Sequence, residues 1–193
     1  MPRLILILRS IRRLKFAQDL IFWNSLCLRL GPSQVIVYME RTLILLKPDC
    51  IQRGLVGEVA GRFEKKGLKI VGMKMLRLQD AILDEHYSHL LGKPFFNGIK
   101  AFMKATPVIA MVLEGLECVE VVRTMCGPTN ARKAAAGTIR GDYGMSVQSN
   151  IVHASDSIEA AEREIKRFFI KTELFEYAKS EEGLVYSVDE KKG

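Results

Sequence analysis

His153 is the residue whose type and surroundings most directly suggest chemistry. It ends a short apolar run and immediately precedes what the sequence predicts to be a helix N-terminus. Asp156 and Glu159 resemble a helix-capping pair, with Ser155 and Ser157 as alternative caps. Free backbone N–H groups and the helix dipole at such a terminus favour an anion, above all a phosphate. Because a neutral imidazole is nucleophilic near neutral pH, His153 could attack a phosphorus atom. The alternative is a histidine that only packs at a strand end.

The elements that must position His153 can be predicted from apolar periodicity. Downstream, residues at helical spacing define one buried helix face: Ile158, Ala161, Ile165, Phe168 and Phe169. Upstream, the pattern predicts strands at 42–46, 69–78, 107–113 and 143–148, and helices at 55–67, 81–91, 97–104 and 116–125. The order strand, helix, strand, strand, helix, strand is that of an α+β ferredoxin-like sandwich. In that fold a four-stranded antiparallel sheet carries helices on one face.

Several further motifs accompany the octapeptide NIVHASDS at 150–157. In chain order they are ERTLILLKPDCIQRGLVG at 40–57, HY at 86–87, KPFF at 93–96, PVIAMVLEG at 107–115, Arg123, GPTN at 127–130 and GTIRGD at 137–142. With these motifs and their spacing, residues 40–177 resemble the nucleoside diphosphate kinase family, in which the histidine of the octapeptide carries a phosphoryl group. The resemblance implies the same ferredoxin-like fold, with the extra helices and the loop that the family carries.

The resemblance also implies a phosphate-binding set. Lys47 matches the lysine that contacts the nucleotide sugar and the γ-phosphate, and Thr129 matches a hydroxyl that hydrogen-bonds the phosphate. Arg123 and Arg140 match two phosphate-binding arginines, a role that suits the planar donor fork of guanidinium. Taken alone, Lys47 would be a solvated surface lysine, and Thr129 before Asn130 would be part of a turn.

A second implied set holds the nucleoside. Phe95 matches the aromatic residue on which the base stacks, and Val147 matches the residue on the opposite side of the base. Stacking recognises a π-face, so such a slot tolerates purines and pyrimidines alike. Of the two adjacent aromatics, we expect Phe96 to be the one that packs in the core. Asn150 matches the amide that contacts the ribose 3′-hydroxyl.

Two residues are implied to act on the histidine itself. Tyr87 matches a phenol that points at the catalytic histidine. Glu164 matches the carboxylate that orients the imidazole, an arrangement used in other histidine chemistry. Helical periodicity alone does not separate Glu164 from Glu162.

The implied activity is a ping-pong phosphotransfer. His153 would take the γ-phosphoryl group of a nucleoside triphosphate, mainly ATP, and pass it to a nucleoside diphosphate. Mg²⁺ is expected to arrive with the nucleotide, because the sequence offers no dedicated protein cage for it. The alternative is a catalytically silent nucleotide- or nucleic-acid-binding protein of the same fold. Such a protein should lack the histidine or a phosphate-binding arginine, whereas His153, Arg123 and Arg140 are all present.

The composition is that of a globular protein, with 193 residues and 48% hydrophobic residues. Four cysteines are scattered without CxxC pairing, which predicts neither a zinc site nor a disulfide framework and favours a cytoplasmic location. His86 and His89 would share a helix face, but no neighbouring cysteine or carboxylate pattern completes a metal site. We therefore expect no metal site built from protein ligands alone.

Most of the positive charge lies in residues 1–39, which carry +5 of the net +7. This distribution is weak evidence for a nucleic-acid surface on the rest of the chain, so no nucleic-acid partner is predicted. The uncharged runs in this segment, such as 20–28, are far shorter than the roughly 20 residues that a membrane-spanning helix needs. No signal peptide is recognisable there either. We therefore predict no membrane association.

We interpret the chain as a basic, apolar N-terminal extension at 1–39 and a nucleoside diphosphate kinase-like domain at 40–193. Met39 is interpreted as the natural start, with the upstream residues contributed by an over-extended reading frame. An organellar leader and an extra helix packed on the domain are the alternatives. The resemblance implies a homo-hexamer or homo-tetramer built from dimers.

Overall fold

The computed structural model describes residues 39–180, 182–187 and 190. The expectations about the basic N-terminal segment at 1–38 lie outside these residues. The strands are β1 Glu40–Leu46, β2 Lys69–Leu76, β3 Val108–Gly115 and β4 Val152–Ala154. The helices are α1 Pro48–Gln52, α2 Val56–Lys65, α3 Asp80–His86, α4 Phe96–Lys104, α5 Cys118–Cys126, α6 Ile139–Tyr143, α7 Ile158–Phe168 and α8 Glu182–Val185. None of the helices in the described ranges has the length and apolar character needed to cross a membrane.

The four strands form one antiparallel sheet in the order β2-β3-β1-β4. Strand β1 lies in the middle, paired with β3 from Glu40↔Gly115 to Leu46↔Ile109. On its other side β1 pairs with β4, where Leu45 lies opposite His153. This topology confirms the predicted ferredoxin-like fold, and it fixes His153 to the central strand of the sheet.

Both faces of the sheet are buried. Ile44 and Leu46 of β1 pack with α2 and α5 on one face. Leu43 and Leu45 of the same strand pack with α3, α4 and α7 on the other. The two crossover helices of the ferredoxin-like unit thus share one face, and the additional helices cover the opposite one. A strand that is buried on both faces needs a continuous apolar run, not an alternation of apolar and polar residues. The sequences of β1 and β3 contain such continuous runs.

The predicted fourth strand at 143–148 is wrong. Tyr143 ends α6, and the fourth strand is the three-residue β4 that contains His153. The alternating pattern at 143–148 lies in a loop, where the Ser146 hydroxyl accepts the backbone N–H groups of Gln148 and Ser149. Side chains of this kind offer the backbone local partners that compete with a strand ladder.

The predicted helix at 81–91 is shorter than expected. Helix α3 ends at His86, and a separate 3₁₀ turn follows at Ser88–Leu90. The backbone N–H of Leu90 donates to the carbonyl of Tyr87 at 2.8 Å, a contact that tightens the chain after the helix. His86 and His89 therefore do not share one helix: His86 is buried at the end of α3, and His89 is exposed in the turn.

Candidate active site

A cavity of about 520 Å³ brings most of the predicted site residues together. The predicted residues that line it are Lys47, Tyr87, Phe95, Arg123, Thr129, Arg140, Val147, Asn150 and His153. Glu164 does not line the cavity and instead contacts His153 from α7. These residues come from β4, α5, α6, α7 and the segments between elements, so only the folded sheet and its helices place them at one site.

His153 and Glu164 form a hydrogen-bonded pair. The imidazole Nε2 lies 2.9 Å from Glu164 Oε2, and the Ser155 hydroxyl donates to the same oxygen at 2.7 Å. Burial alone would raise the pKa of Glu164, but the hydrogen bonds and charge at His153, with smaller effects of His86 and Ser155, lower it to about 2. An ionised carboxylate accepts the Nε2–H, and this contact assigns the tautomer in which Nδ1 keeps its lone pair.

Ser155 has a role that the sequence analysis missed. The serine was predicted only as a possible helix cap, but its hydroxyl also accepts the backbone N–H of Leu43 at 3.3 Å. It is fully buried, and it links Glu164 to the central strand. A serine two residues after the histidine, and so on the same side of an extended chain, was the available signal.

A strained turn precedes His153. Ile151 has a φ of +75°, and the Val152 N–H donates to the carbonyl of Asn150 at 2.8 Å, so the three residues close a γ-turn. Such a conformation costs a β-branched residue roughly 1–3 kcal/mol. The Asp49 carboxylate holds it by accepting the Ile151 N–H at 2.9 Å, and the Lys47 N–H donates to the Ile151 carbonyl at 2.9 Å. The turn redirects the chain from the wall of the cavity into β4.

Lys47 and Asn150 form a buried polar hub. Lys47 Nζ donates to Asn150 Oδ1 at 2.6 Å and to the carbonyl of Gln148 at 3.2 Å. The Asn150 amide in turn donates to the carbonyls of Thr129 and Val147, both at 2.8 Å. Asn150 therefore holds the loop together in addition to its predicted contact with the ribose. Burial and then the charge of Arg140 lower the pKa of Lys47 to about 8, with Asp49 opposing them.

The two arginines are held differently. Arg140 is buried and donates to the backbone carbonyls of Gly127 and Val152, the latter at 2.8 Å. Its guanidinium is thus fixed to the pocket wall. Arg123 has a half-exposed side chain that forms an ion pair with Asp156. A phosphate can therefore displace Asp156 from Arg123, whereas Arg140 is already in place.

An open apolar slot lies at the mouth of the cavity. Phe95 is 53% exposed and Val147 is 49% exposed, although both belong to residue types that normally prefer burial. Phe96 is buried, as expected. The Gln148 amide donates to the carbonyl of Gly98 at 3.2 Å and so bridges the Val147 loop to α4. This bridge was not predicted from the sequence.

Tyr87 lies on the wall of the same cavity, and burial raises the pKa of its phenol above the ordinary value. The hydroxyl is therefore protonated at neutral pH and available as a donor. Its ring packs edge-on against His86, with the ring centroids 4.6 Å apart. The predicted contact of the phenol with the catalytic histidine stays a prediction.

The start of α7 differs from the sequence-based expectation. Ser157 is the N-cap, accepting the Ala160 N–H at 3.1 Å, while Asp156 pairs with Arg123. The first residues of α7 line a neighbouring groove of about 870 Å³, not the cavity that contains His153. The helix terminus is therefore not the anion site of this cavity. Lysine and arginine side chains supply its positive charge instead.

Comparison with known proteins points to one family. The family model described as nucleoside diphosphate kinase matches residues 40–174. A nucleoside diphosphate kinase of Parabacteroides distasonis is 58% identical over 152 residues, covering 79% of this chain and 99% of the relative. One from Archaeoglobus fulgidus is 51% identical over 148 residues, covering 77% and 98%. The solved structure of a halophilic nucleoside diphosphate kinase from Halobacterium salinarum in complex with CDP is 44% identical. It matches with a TM-score of 0.76 and covers 78% of this chain and 100% of the other.

Proposed function

Because the chain belongs to the nucleoside diphosphate kinase family and is a phosphotransferase of that family, we propose that it works by a ping-pong route through a phosphohistidine on His153. The donor is a nucleoside triphosphate, mainly ATP, and the acceptor is a nucleoside diphosphate. The observation that carries this proposal is the 2.9 Å contact between His153 Nε2 and the ionised Glu164. It leaves Nδ1 as the nucleophilic nitrogen of a fixed ring.

In the first half of the reaction, Nδ1 attacks the γ-phosphorus and the bond to the β–γ bridging oxygen breaks, releasing the diphosphate. In the second half, the terminal oxygen of another diphosphate attacks the same phosphorus and the imidazole leaves. Glu164 stabilises the positive charge that develops on the ring. Lys47, Arg123 and Arg140 offset the charge of the equatorial phosphate oxygens. Donor and acceptor are chemically alike, so the overall equilibrium constant lies near one.

Mg²⁺ fits this site as an ion carried by the nucleotide. Asp156 is the one carboxylate among the residues that line the described cavity, and it is already paired with Arg123. A hard cation that prefers several oxygen ligands would therefore be held mainly by the phosphate oxygens. When bound there, it neutralises phosphate charge that the lysine and arginines do not cover.

The slot between Phe95 and Val147 supports broad base tolerance, because stacking does not read a base edge. CDP in the halobacterial relative is a pyrimidine nucleotide, which is consistent with such a slot. We also propose a cytoplasmic location and assembly into hexamers or tetramers of dimers. Strand β2 lies at the edge of the sheet and exposes Met73 and Met75, as an assembly surface would.

Steady-state kinetics test the ping-pong route. Initial rates measured at several fixed concentrations of donor and varied acceptor should give parallel double-reciprocal lines, because the first product leaves before the second substrate binds. Intersecting lines would indicate a ternary complex and direct transfer, and the phosphohistidine proposal would then be wrong.

A pH dependence follows from Lys47. Its pKa of about 8 means that the free protein carries the ammonium below this pH and loses it above. We expect kcat/KM for the triphosphate to fall as the pH rises through about 8, since a neutral amine attracts phosphate less. Lys47→Arg keeps its charge throughout this range, so the variant should lack the decline whatever its absolute rate. Superimposable pH profiles for the two proteins would exclude Lys47 as the titrating group.

We propose further that the catalytic unit lies within residues 40–193. Every site residue falls between Lys47 and Glu164, and the family match begins at residue 40. A protein that starts at Met39 should therefore transfer phosphate at the rate of the full chain, with an unchanged melting temperature. The transfer rates and melting temperatures of the two proteins, measured at equal concentration, test this prediction. A clearly lower melting temperature for the shorter protein would show that the first residues stabilise the domain.

A further inference from the structure

A second cluster of chemically competent side chains lies on the Nε2 side of His153. One ring nitrogen of His86, one of His153 and one carboxylate oxygen of Glu164 lie within 4.8 Å of one another. Glu164 bridges the two rings, with Oε2 2.9 Å from His153 Nε2 and Oε1 3.8 Å from His86 Nδ1. His86 takes no part in the proposed transfer, and the nitrogen that it turns towards Glu164 is Nδ1.

The donor types of this cluster suit a metal ion. The side chains of His86, His153 and Glu164 are 1%, 19% and 13% exposed, so the cluster is largely shielded from water. Together the two imidazoles and the carboxylate provide two nitrogens and one oxygen. This is a ligand set of zinc sites that keep an open fourth position.

The distances suit zinc as well. Zinc lies about 2.0–2.2 Å from nitrogen and oxygen ligands, so the ligand atoms of a tetrahedral site are separated by roughly 3.3 Å. Glu164 Oε2 and His153 Nε2 are 2.9 Å apart, and one ligand atom from each of the three residues lies within 4.8 Å of the other two. Side-chain movements of up to about 1.5 Å would therefore bring the three ligand atoms to the spacing of a zinc site. The Ser155 hydroxyl, 2.7 Å from Glu164 Oε2, remains as the hydrogen bond that orients the ligating carboxylate.

We propose that His86, His153 and Glu164 form an inhibitory zinc site. The inhibition rests on the proposed function of His153. Zinc takes the place of the proton on Nε2, and that proton moves to Nδ1, because a neutral metal-bound imidazole carries its hydrogen on the other nitrogen. Nδ1 then has no lone pair with which to attack phosphorus. The bound metal thus switches the imidazole to the wrong tautomer without entering the nucleotide cavity.

Arg167 is the group in this cluster that opposes a cation. One terminal nitrogen of its guanidinium lies 3.3 Å from His86 Nδ1, while Nε forms an ion pair with Glu85 at 2.8 Å. The guanidinium must give up its contact with His86 when a metal binds, and Glu85 can retain it. Removing this charge with Arg167→Met should therefore strengthen zinc binding.

Calorimetric titration of the nucleotide-free protein with zinc chloride tests the site directly. The wild-type chain should bind one zinc ion. His86→Phe keeps the ring packing but removes a ligand, and it should weaken binding by more than about 100-fold, beyond the loss seen when only an outer-sphere partner is removed. His89→Gln is the matched control, since His89 is an exposed histidine three residues further along the chain. Its affinity for zinc should equal that of the wild type.

Transfer assays test the inhibition, and the rate of each protein with zinc is compared with its own rate in zinc-free buffer. Buffered zinc should inhibit wild-type transfer, a chelator should restore it, and His86→Phe should resist the inhibition. Absence of zinc binding, or binding that survives His86→Phe, overturns the site. Binding without inhibition overturns the tautomer switch. If the wild-type protein showed no phosphoryl transfer in zinc-free buffer, the proposed function would be refuted instead. Calorimetry would still measure whether zinc binds to the site.

A spectroscopic measurement needs no variant and covers the case in which His86→Phe does not fold. Co²⁺ bound by the wild-type chain in place of zinc should absorb strongly in the visible range, as four-coordinate Co²⁺ does. The weak absorption of six-coordinate Co²⁺ would show that the ion is not held by this cluster, and the proposal would then fail.

Discussion

Replacement of His153 by alanine is expected to abolish phosphoryl transfer while the protein remains folded. Loss of a covalent nucleophile typically lowers the rate by about 10⁶. The fold should survive, because His153 is partly exposed and Ser155 still donates to Glu164 after the substitution. A coupled transfer assay gives the rate, and circular dichroism with a thermal melt reports the fold. A variant that stays folded and keeps measurable transfer would place the nucleophile elsewhere.

Helix α7 supplies a matched pair of controls for this experiment. Glu164 contacts His153, whereas Glu162 is exposed on the same helix. Glu164→Gln retains an oxygen that can accept the Nε2–H but removes the charge, so its rate should fall between those of the wild type and His153→Ala. Glu162→Gln should behave as the wild type. Equal effects at the two positions would mean that the contact with His153 has no role in orienting the ring.

Arg123→Ala and Arg140→Ala are each expected to slow transfer by on the order of 10²–10³-fold, or about 3–4 kcal/mol. This is the size of a charge-stabilising contact made in a transition state. The loss should appear in kcat/KM for both half-reactions, because the same arginines face the phosphoryl group in each. Arg132→Ala is the control, since Arg132 is an exposed arginine that donates to the carbonyl of Met145. Its rate should be close to that of the wild type.

The two arginine variants should differ in stability. Arg140→Ala leaves the buried carbonyl of Val152 and the half-buried carbonyl of Gly127 without their donor, which should lower the free energy of unfolding by about 1–3 kcal/mol. Arg123→Ala removes only a solvent-exposed ion pair with Asp156, worth less than about 1 kcal/mol. Denaturant titrations of the two variants measure the difference. Similar losses of stability in the two variants would contradict the assignment of Arg140 as the fixed arginine and Arg123 as the exchangeable one. Near-normal transfer rates in both variants would contradict their assignment as phosphate ligands.

The sequence was most informative about the fold where structure is determined by burial. The apolar runs that became β1 and β3, and the helical spacing that became α7, are set by contact with the core and are visible in a single chain. The fourth strand was misplaced because β4 has only three residues. Its position depends on pairing with β1, and the preceding loop is shaped by side-chain hydrogen bonds of Ser146 and Asn150. Apolar periodicity reveals neither the pairing of strands nor the hydrogen bonds of a loop.

The candidate site was predicted mainly through its resemblance to a family, and the structure shows why spacing alone was insufficient. Glu164 and Glu162 are equivalent in sequence, and only the packing of α7 against the sheet directs one of them to His153. The positive φ of Ile151 has no sequence signal, since isoleucine disfavours that conformation. His86 was considered with its neighbour His89, whereas the fold places it against His153, with ring centroids 4.6 Å apart.

The most direct test of the central claim is the intact mass of the protein after brief incubation with ATP and Mg²⁺ in the absence of a diphosphate acceptor. The mass should increase by one phosphoryl group per chain. The group should be located on His153, lost in acid, retained in base and discharged when a nucleoside diphosphate is added. An unchanged mass, or a phosphoryl group that survives acid on a serine or threonine, would contradict transfer through a phosphohistidine.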